Sequence, residues 1–298
     1  MTVSHTDPSP PAVDCRAETQ ALADAAAAAG HAPSVHHVQP WRWRLSDACL
    51  DLVVDHDRFP HLAEPNPRLT LLSCGTALHH ACVSLAADGW HAAVSRLPDT
   101  DHPDHLAQIR LDHRVPVEPD ALLHLRTTAA RHTVVPPALS APVDAEKLIS
   151  LAAAVESEGA RLQLLRPDEV LDLVVAADHA ARTEVRRTAG GNLLAQSQDR
   201  TALFAVLYGV GDRRLDWLRA GEALSAVWLT ATEIGLSLLP LPATIEMPGT
   251  RDLMRRRLPG AGQPYLLVRF GTLSPTATGL AARRTPATDQ RIDRGLNR

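Results

Sequence analysis

The sequence predicts an α+β chain made of two half-size units, each a β-sheet with helices, packed as an internal pseudo-dimer around long central helices. Three observations lead there. Two long apolar helical stretches, residues 68–88 and 214–234, are each stopped by a glycine, Gly89 and Gly235. Laid over each other at an offset of 146 residues, Arg68, Leu69, Leu72, Gly75, Ala77, Leu78 and Gly89 coincide with Arg214, Leu215, Leu218, Gly221, Ala223, Leu224 and Gly235, seven identities in 22 positions. Alanine and leucine matches carry little weight, but a glycine inside a helix costs about 1 kcal/mol against alanine and marks close backbone approach. Third, short strand-like runs flank both helices. A duplicated unit whose two copies pack their long helices together accounts for all three.

The elements follow in order. Residues 1–15 are rich in Ser, Pro and Asp and read as a disordered lead-in without the cationic start and apolar core of a secretory signal. The first half spans 16–125. "RAETQALADAAAAAG" (16–30) is a helix with Gly30 at its C-terminal cap. "WRWRL" and "CLDLVVD", joined at Ser46-Asp47, read as a β-hairpin, and "HAAVSRL" and "LAQIRLD" as strands after the first long helix. The second half spans 126–298. "VDAEKLISLAAAVES" is a helix capped by Asp144, "ARLQLL" a strand, "DEVLDLVVAADHAARTEVRR" a helix, and "QPYLLVRFG" a strand beyond the second long helix.

Composition narrows the function classes. Hydrophobic residues make up 45% and charged residues 21%, enough for a sizeable core and a solvated surface. A formal charge of −4 gives no electrostatic reason to expect nucleic acid or an anionic membrane. No uninterrupted apolar run approaches the roughly 20 residues of a membrane helix. Cys15, Cys49, Cys74 and Cys82 form no C-x-x-C pair, which fits a reduced, cytoplasmic setting. The 15 histidines include no H-E-x-x-H, so scattered surface residues rather than a metal site are expected, and no glycine-rich phosphate loop or G-x-S-x-G occurs.

One stretch stands out. "HAPSVHHVQPWRWRL" (31–45) concentrates two Trp, two Arg, three His and two Pro in a chain with only 3% aromatics. "APSVHHVQPWRW" resembles the A-P-S-x-x-N-x-Q-P-W signature of FMN-dependent nitroreductase-fold proteins. "PRLTLLSCGTAL", "RHT", "DWLRAGEAL", "GLSLLPLPATIE", "LLVRFG" and "ARRTP" are similar, in order and spacing, to the Acg-type branch from actinobacteria, whose chain resembles a nitroreductase dimer fused end to end. The resemblance runs from about residue 16 to 290.

It implies one FMN between the halves. Pro33, Ser34, Val35, His37 and Gln39 of the first half would lie against the flavin ring. Arg131, His132 and Thr133, with Arg283 and Arg284, would hold the phosphate, where arginine makes charge-assisted bonds to a nearly dianionic group. Leu239, Pro240 and Leu241 lie either in a loop over the ring or in a plain αβ connection. The second half has "ESEGARLQLLRP" where a second signature would sit, so the chain should form one site. The implied activity takes hydride from NAD(P)H through FMN to a small acceptor of nitro or quinone type. No side chain is named catalytic, because the cofactor carries the chemistry. Departures point to an alternative, a flavin-binding or storage protein with little turnover. His37 replaces the signature's Asn, Val135 stands where relatives carry a cation, and the segment after Arg187 is short. The oligomer is expected to be a monomeric pseudo-dimer or a homodimer.

Overall fold

The structure, a computed structural model, describes residues 15–46, 49–59, 66–130, 143–183, 202–272 and 292–294. Helix α1 (Cys15–Ala29) leads into the hairpin β1 (Trp41–Leu45) and β2 (Leu50–Val54). The long helix α2 (Pro67–Ala87), β3 (Trp90–Arg96), β4 (His105–Arg114) and α3 (Pro119–Ala130) follow. Then come α4 (Ala145–Glu156), β5 (Arg161–Leu164), α5 (Pro167–Thr183), β6 (Leu203–Gly209) and the second long helix, α6 (Arg214–Glu233). The described chain closes with β7 (Leu236–Leu241), α7 (Ala243–Glu246), α8 (Pro248–Arg257), β8 (Gln263–Thr272) and β9 (Ile292–Arg294).

Among the described residues the strands form two sheets, with orders β3-β4-β2-β1-β9 and β5-β6-β8-β7. Read from the strand that follows each long helix, both run helix-following strand, last, second, first, and all these pairings are antiparallel. The same topology in both halves is the structural counterpart of the 146-residue echo. β9 is the exception: it lies parallel on β1, so the C-terminal segment reaches back onto the first half's sheet. Helix α3 runs across the 125/126 boundary.

The long helices form the centre. α2 is buried on most of its circumference, with Leu72, Cys74, Ala77, Leu78 and Ala81 at 1% exposure or less, and α6 matches it with Trp217, Leu218, Ala223, Val227 and Leu229. An all-round apolar helix needs neighbours on every side. By length and composition α2 alone among the described helices could cross a membrane, but its apolar surface is mostly buried within the fold. The helices meet at the predicted glycines. A methyl on Gly75 would run into the Leu218 carbonyl, and one on Gly221 into that of Leu72. These clashes mirror each other, as a two-fold relation through the crossing requires.

Local signals behave as their chemistry dictates. Asn66 caps α2 by accepting the Arg68 N–H (3.1 Å), with Pro67 at the first turn, and Asp144 accepts from the Lys147 N–H (2.8 Å). Gly89 (φ 73°) and Gly235 (φ 79°) take the left-handed turn that ends each long helix, where a side chain would be strained. Gly30 differs: it follows α1 without a positive φ, its N–H closing on the Ala27 carbonyl (3.1 Å). Trp41, Trp43 and Leu45 alternate inward along β1. Residues 239–241 are neither a loop nor a plain connection. They finish β7, an edge strand where Pro240 pairs with Val268 without interrupting an inner ladder.

Candidate functional site

The stretch 31–45 divides into a buried strand and a loop tied to α2. Ser34 is extended (φ −137°, ψ 149°) and Val35–His37 form one 3₁₀ turn. The Ser34 hydroxyl oxygen accepts the Gln39 N–H and the Ser73 hydroxyl oxygen accepts the Val35 N–H, both at 3.0 Å. Ser73 donates to the Leu69 carbonyl (2.8 Å), while the Thr76 hydroxyl reaches the carbonyls of Pro33 (2.5 Å) and Ser73 (2.7 Å). These anchors hold His37 (φ 56°) and Gln39 (φ 52°) in the left-handed region, where non-glycine residues carry strain. A loop held in such a conformation is pre-set in shape.

Beside it lies a cavity of about 270 Å³, lined by Pro33, Ser34, Val35 and His37 of the loop, Leu72 and Ser73 of α2, Leu224 and Trp228 of α6, Leu239, Pro240 and Pro242 at the end of β7, and Leu266 of β8. The lining residues come from two stretches far apart in sequence, 33–73 and 224–266. Nine of the twelve lining residues are apolar, and the polar ones are the two serines and His37. That suits a flat, largely apolar ring with polar atoms along its edge. The volume is just under the roughly 300–1,000 Å³ common for small-molecule sites, enough for a ring system and not for a whole dinucleotide.

Of the residues expected from sequence, Pro33, Ser34, Val35, His37, Leu239 and Pro240 line this cavity. Gln39 and Leu241 do not. The Gln39 amide turns back to donate to the Gly30 carbonyl (2.8 Å), and Leu241 is buried at 5% exposure. Arg131, His132, Thr133, Val135, Arg283 and Arg284 lie outside the described residues. Sequence reasoning missed Ser73 and Trp228. Ser73 has a signal, a hydroxyl on the buried side of an apolar helix three residues before Thr76. Trp228 has one too, four residues after the duplicated Leu224.

Among the described residues, two sheets of like strand order flank a central helix pair, and an apolar cavity is shared by the loop and that pair. No protein-family model matches the chain. Among curated proteins it is 33% identical over 282 residues to Rv3131 of Mycobacterium tuberculosis, named as an NAD(P)H nitroreductase, covering 80% of this chain and 81% of that one. It is 30% identical over 309 residues to acg of the same organism, also named as an NAD(P)H nitroreductase, covering 87% and 91%. Among solved structures, a nitroreductase with bound FMN from Bacteroides fragilis aligns at 15% identity and TM-score 0.40, over 51% of this chain and 88% of that one. One from Desulfitobacterium hafniense, also with bound FMN, aligns at 13% and 0.42, over 51% and 89%. The chain belongs to the Acg/Rv3131 family of nitroreductase-like proteins.

Proposed function

We propose that the chain is an FMN-dependent NAD(P)H oxidoreductase that binds one flavin per chain at the junction of a first half, 16–125, and a second half, 126–298. The observation that carries this reading is the composite cavity: a loop from one half faces helix α6 and strand β7 of the other across an apolar slot. The residues present fit the group. Pro33, Leu72, Leu224, Trp228, Leu239 and Pro240 would hold the ring by apolar contact. The Ser34 oxygen already accepts one N–H, which leaves its O–H to donate toward a ring carbonyl or nitrogen. The Val35 N–H is taken by Ser73, so the loop's role there is shape rather than donation. Arg131, His132, Thr133, Arg283 and Arg284 are the proposed phosphate ligands. When bound, FMN supplies the two-electron chemistry between a nicotinamide and a small acceptor such as a nitro compound or quinone. The protein orients the ring and keeps water off its buried face. A cytoplasmic pseudo-dimer, alone or paired, is the matching state.

The tightness of the cavity favours a second reading, flavin binding or storage with little turnover, because a nicotinamide must reach the same ring. Anaerobic mixing of the FMN-loaded protein with NADH or NADPH separates the two. Rapid bleaching of the yellow colour supports the reductase, and stable colour with one FMN per chain supports storage. Two flavins per chain, or none taken up, overturns the composite single site.

A further inference from the structure

A second place in the molecule gathers donor atoms, away from the elements that line the cavity. His91 near the start of β3 pairs across the ladder with His113 of β4, so both imidazoles project from one face of the sheet, their rings stacked 4.8 Å apart at 24°. In an uninterrupted ladder, Asp112 would point to the opposite face from His113. The register shifts between His91 and Ala92, where His113 and Leu111 are their partners and Asp112 is the extra residue of a β-bulge. Bulges re-aim side chains, and this one brings the carboxylate to the histidines. Asp112 Oδ2 lies 3.3 Å from His91 Nδ1 and 3.1 Å from His113 Nδ1.

We propose that His91, Asp112 and His113 form a surface site for a borderline divalent transition ion, Zn²⁺ foremost, with a fourth position open to water or to a donor from another molecule. The three donor atoms all fall within 4.8 Å of one another. Around a tetrahedral zinc with bonds near 2.0–2.2 Å, neighbouring ligand atoms sit about 3.3–3.5 Å apart, close to the two separations above. Two imidazoles and one carboxylate favour zinc, nickel or copper over magnesium or calcium, which take all-oxygen shells. The three side chains are each more than half exposed, so an ion can enter and exchange its waters without opening the fold. β3 is the outer strand of its sheet. An ion here would tie this edge to β4 at its irregular end.

The test uses the full-length protein, without added flavin, titrated with ZnCl₂ by calorimetry and with CoCl₂ by visible absorption. The expected result is one tight equivalent of either ion, absorption of tetrahedral cobalt, and a melting temperature raised by several degrees at saturating zinc. His91→Ala and His113→Ala should each weaken that equivalent by at least about tenfold and remove the thermal shift. Asp112→Asn, nearly isosteric, gives the same reading should a histidine variant fail to fold. Unchanged zinc affinity in the His91→Ala/His113→Ala double variant, or no tight equivalent in the wild type, overturns the site and leaves a carboxylate close to two histidines.

Discussion

The cavity has a counterpart on the other side of the helix crossing, and the two have been filled in opposite ways. At the 146-residue offset Trp228 corresponds to Cys82, Pro242 to Arg96, Ser73 to Arg219 and Thr76 to Glu222. In the first half, residues 30–40 connect α1 to β1, and Ser73 and Thr76 fasten that loop. In the second half only residues 157–160 connect α4 to β5. There is no loop to fasten, and Glu222 instead takes a bidentate pair of bonds from Arg96, both at 2.8 Å. Burial pushes the carboxyls of Glu222 and Glu158 up, and Arg96 and Arg219 pull both back toward the charged form. Burial also pushes the Cys82 thiol up to about 12, helped by Glu222, which leaves it an inert thiol. Positions related by the 146-residue offset line an apolar cavity on one side and form a packed ionic cluster on the other.

The largest expected effect comes from breaking the ionic side. Arg96→Ala leaves Glu222, buried at 2% exposure, without its bidentate partner; because Arg96 is a quarter exposed, the loss should be about 3 kcal/mol, the low end for a buried pair. Urea unfolding should show that loss, while flavin occupancy of the folded protein stays near the wild-type value. Occupancy that collapses together with stability would mean the two regions are not independent.

A smaller effect concerns His79, which is the offset partner of Ser225 and hydrogen-bonds to it (2.9 Å). Burial, aided by His124, lowers its pKa to about 4. Between that value and an unfolded pKa near 6.5, the unfolded chain binds more protons, so this group's contribution is intact above pH 6.5 and is lost as pH falls. Glu158, which faces His79 at 3.9 Å, and Glu222 are shifted upward and act in the opposite sense. The comparison of wild type with His79→Gln isolates the histidine. From pH 7 to 4.5 the wild type should lose about 2 kcal/mol more than the variant. Parallel stability curves would place the imidazole in contact with solvent.

The smallest effect belongs to the cavity side. Ser73→Ala removes the acceptor of the Val35 N–H and should cost about 1 kcal/mol in stability. Its sharper signature is a several-fold weaker grip on added FMN, read by fluorescence quenching, as the strained turn at His37 relaxes. Equal FMN affinity in the two proteins would show that Ser73 does not set the loop's shape.

Much of this architecture is legible in the residues. The helix pair, both terminal glycines, the Asp144 cap, the hairpin and the crossing at Gly75 and Gly221 follow from periodicity, capping chemistry and one repeated spacing. Pro33, Ser34 and His37 are readable as cavity residues through the resemblance of their loop to the nitroreductase signature, while composition alone marks only that the stretch is unusual. Gln39 was read from the same signature and turned out to face Gly30, because the left-handed turn at positions 37 and 39 rotates its side chain inward.

What the chain determines alone is local: where helices start and stop, which strand faces are apolar, and where backbones must approach. The tertiary structure decided what depends on partners far apart in sequence. It joined Arg96 to Glu222, placed Pro240 on an outer strand, laid β9 against β1 and brought Asp112 between two histidines through a one-residue bulge. Such contacts have no local signature, because the free energy that selects them is shared between segments that meet only once the core has formed.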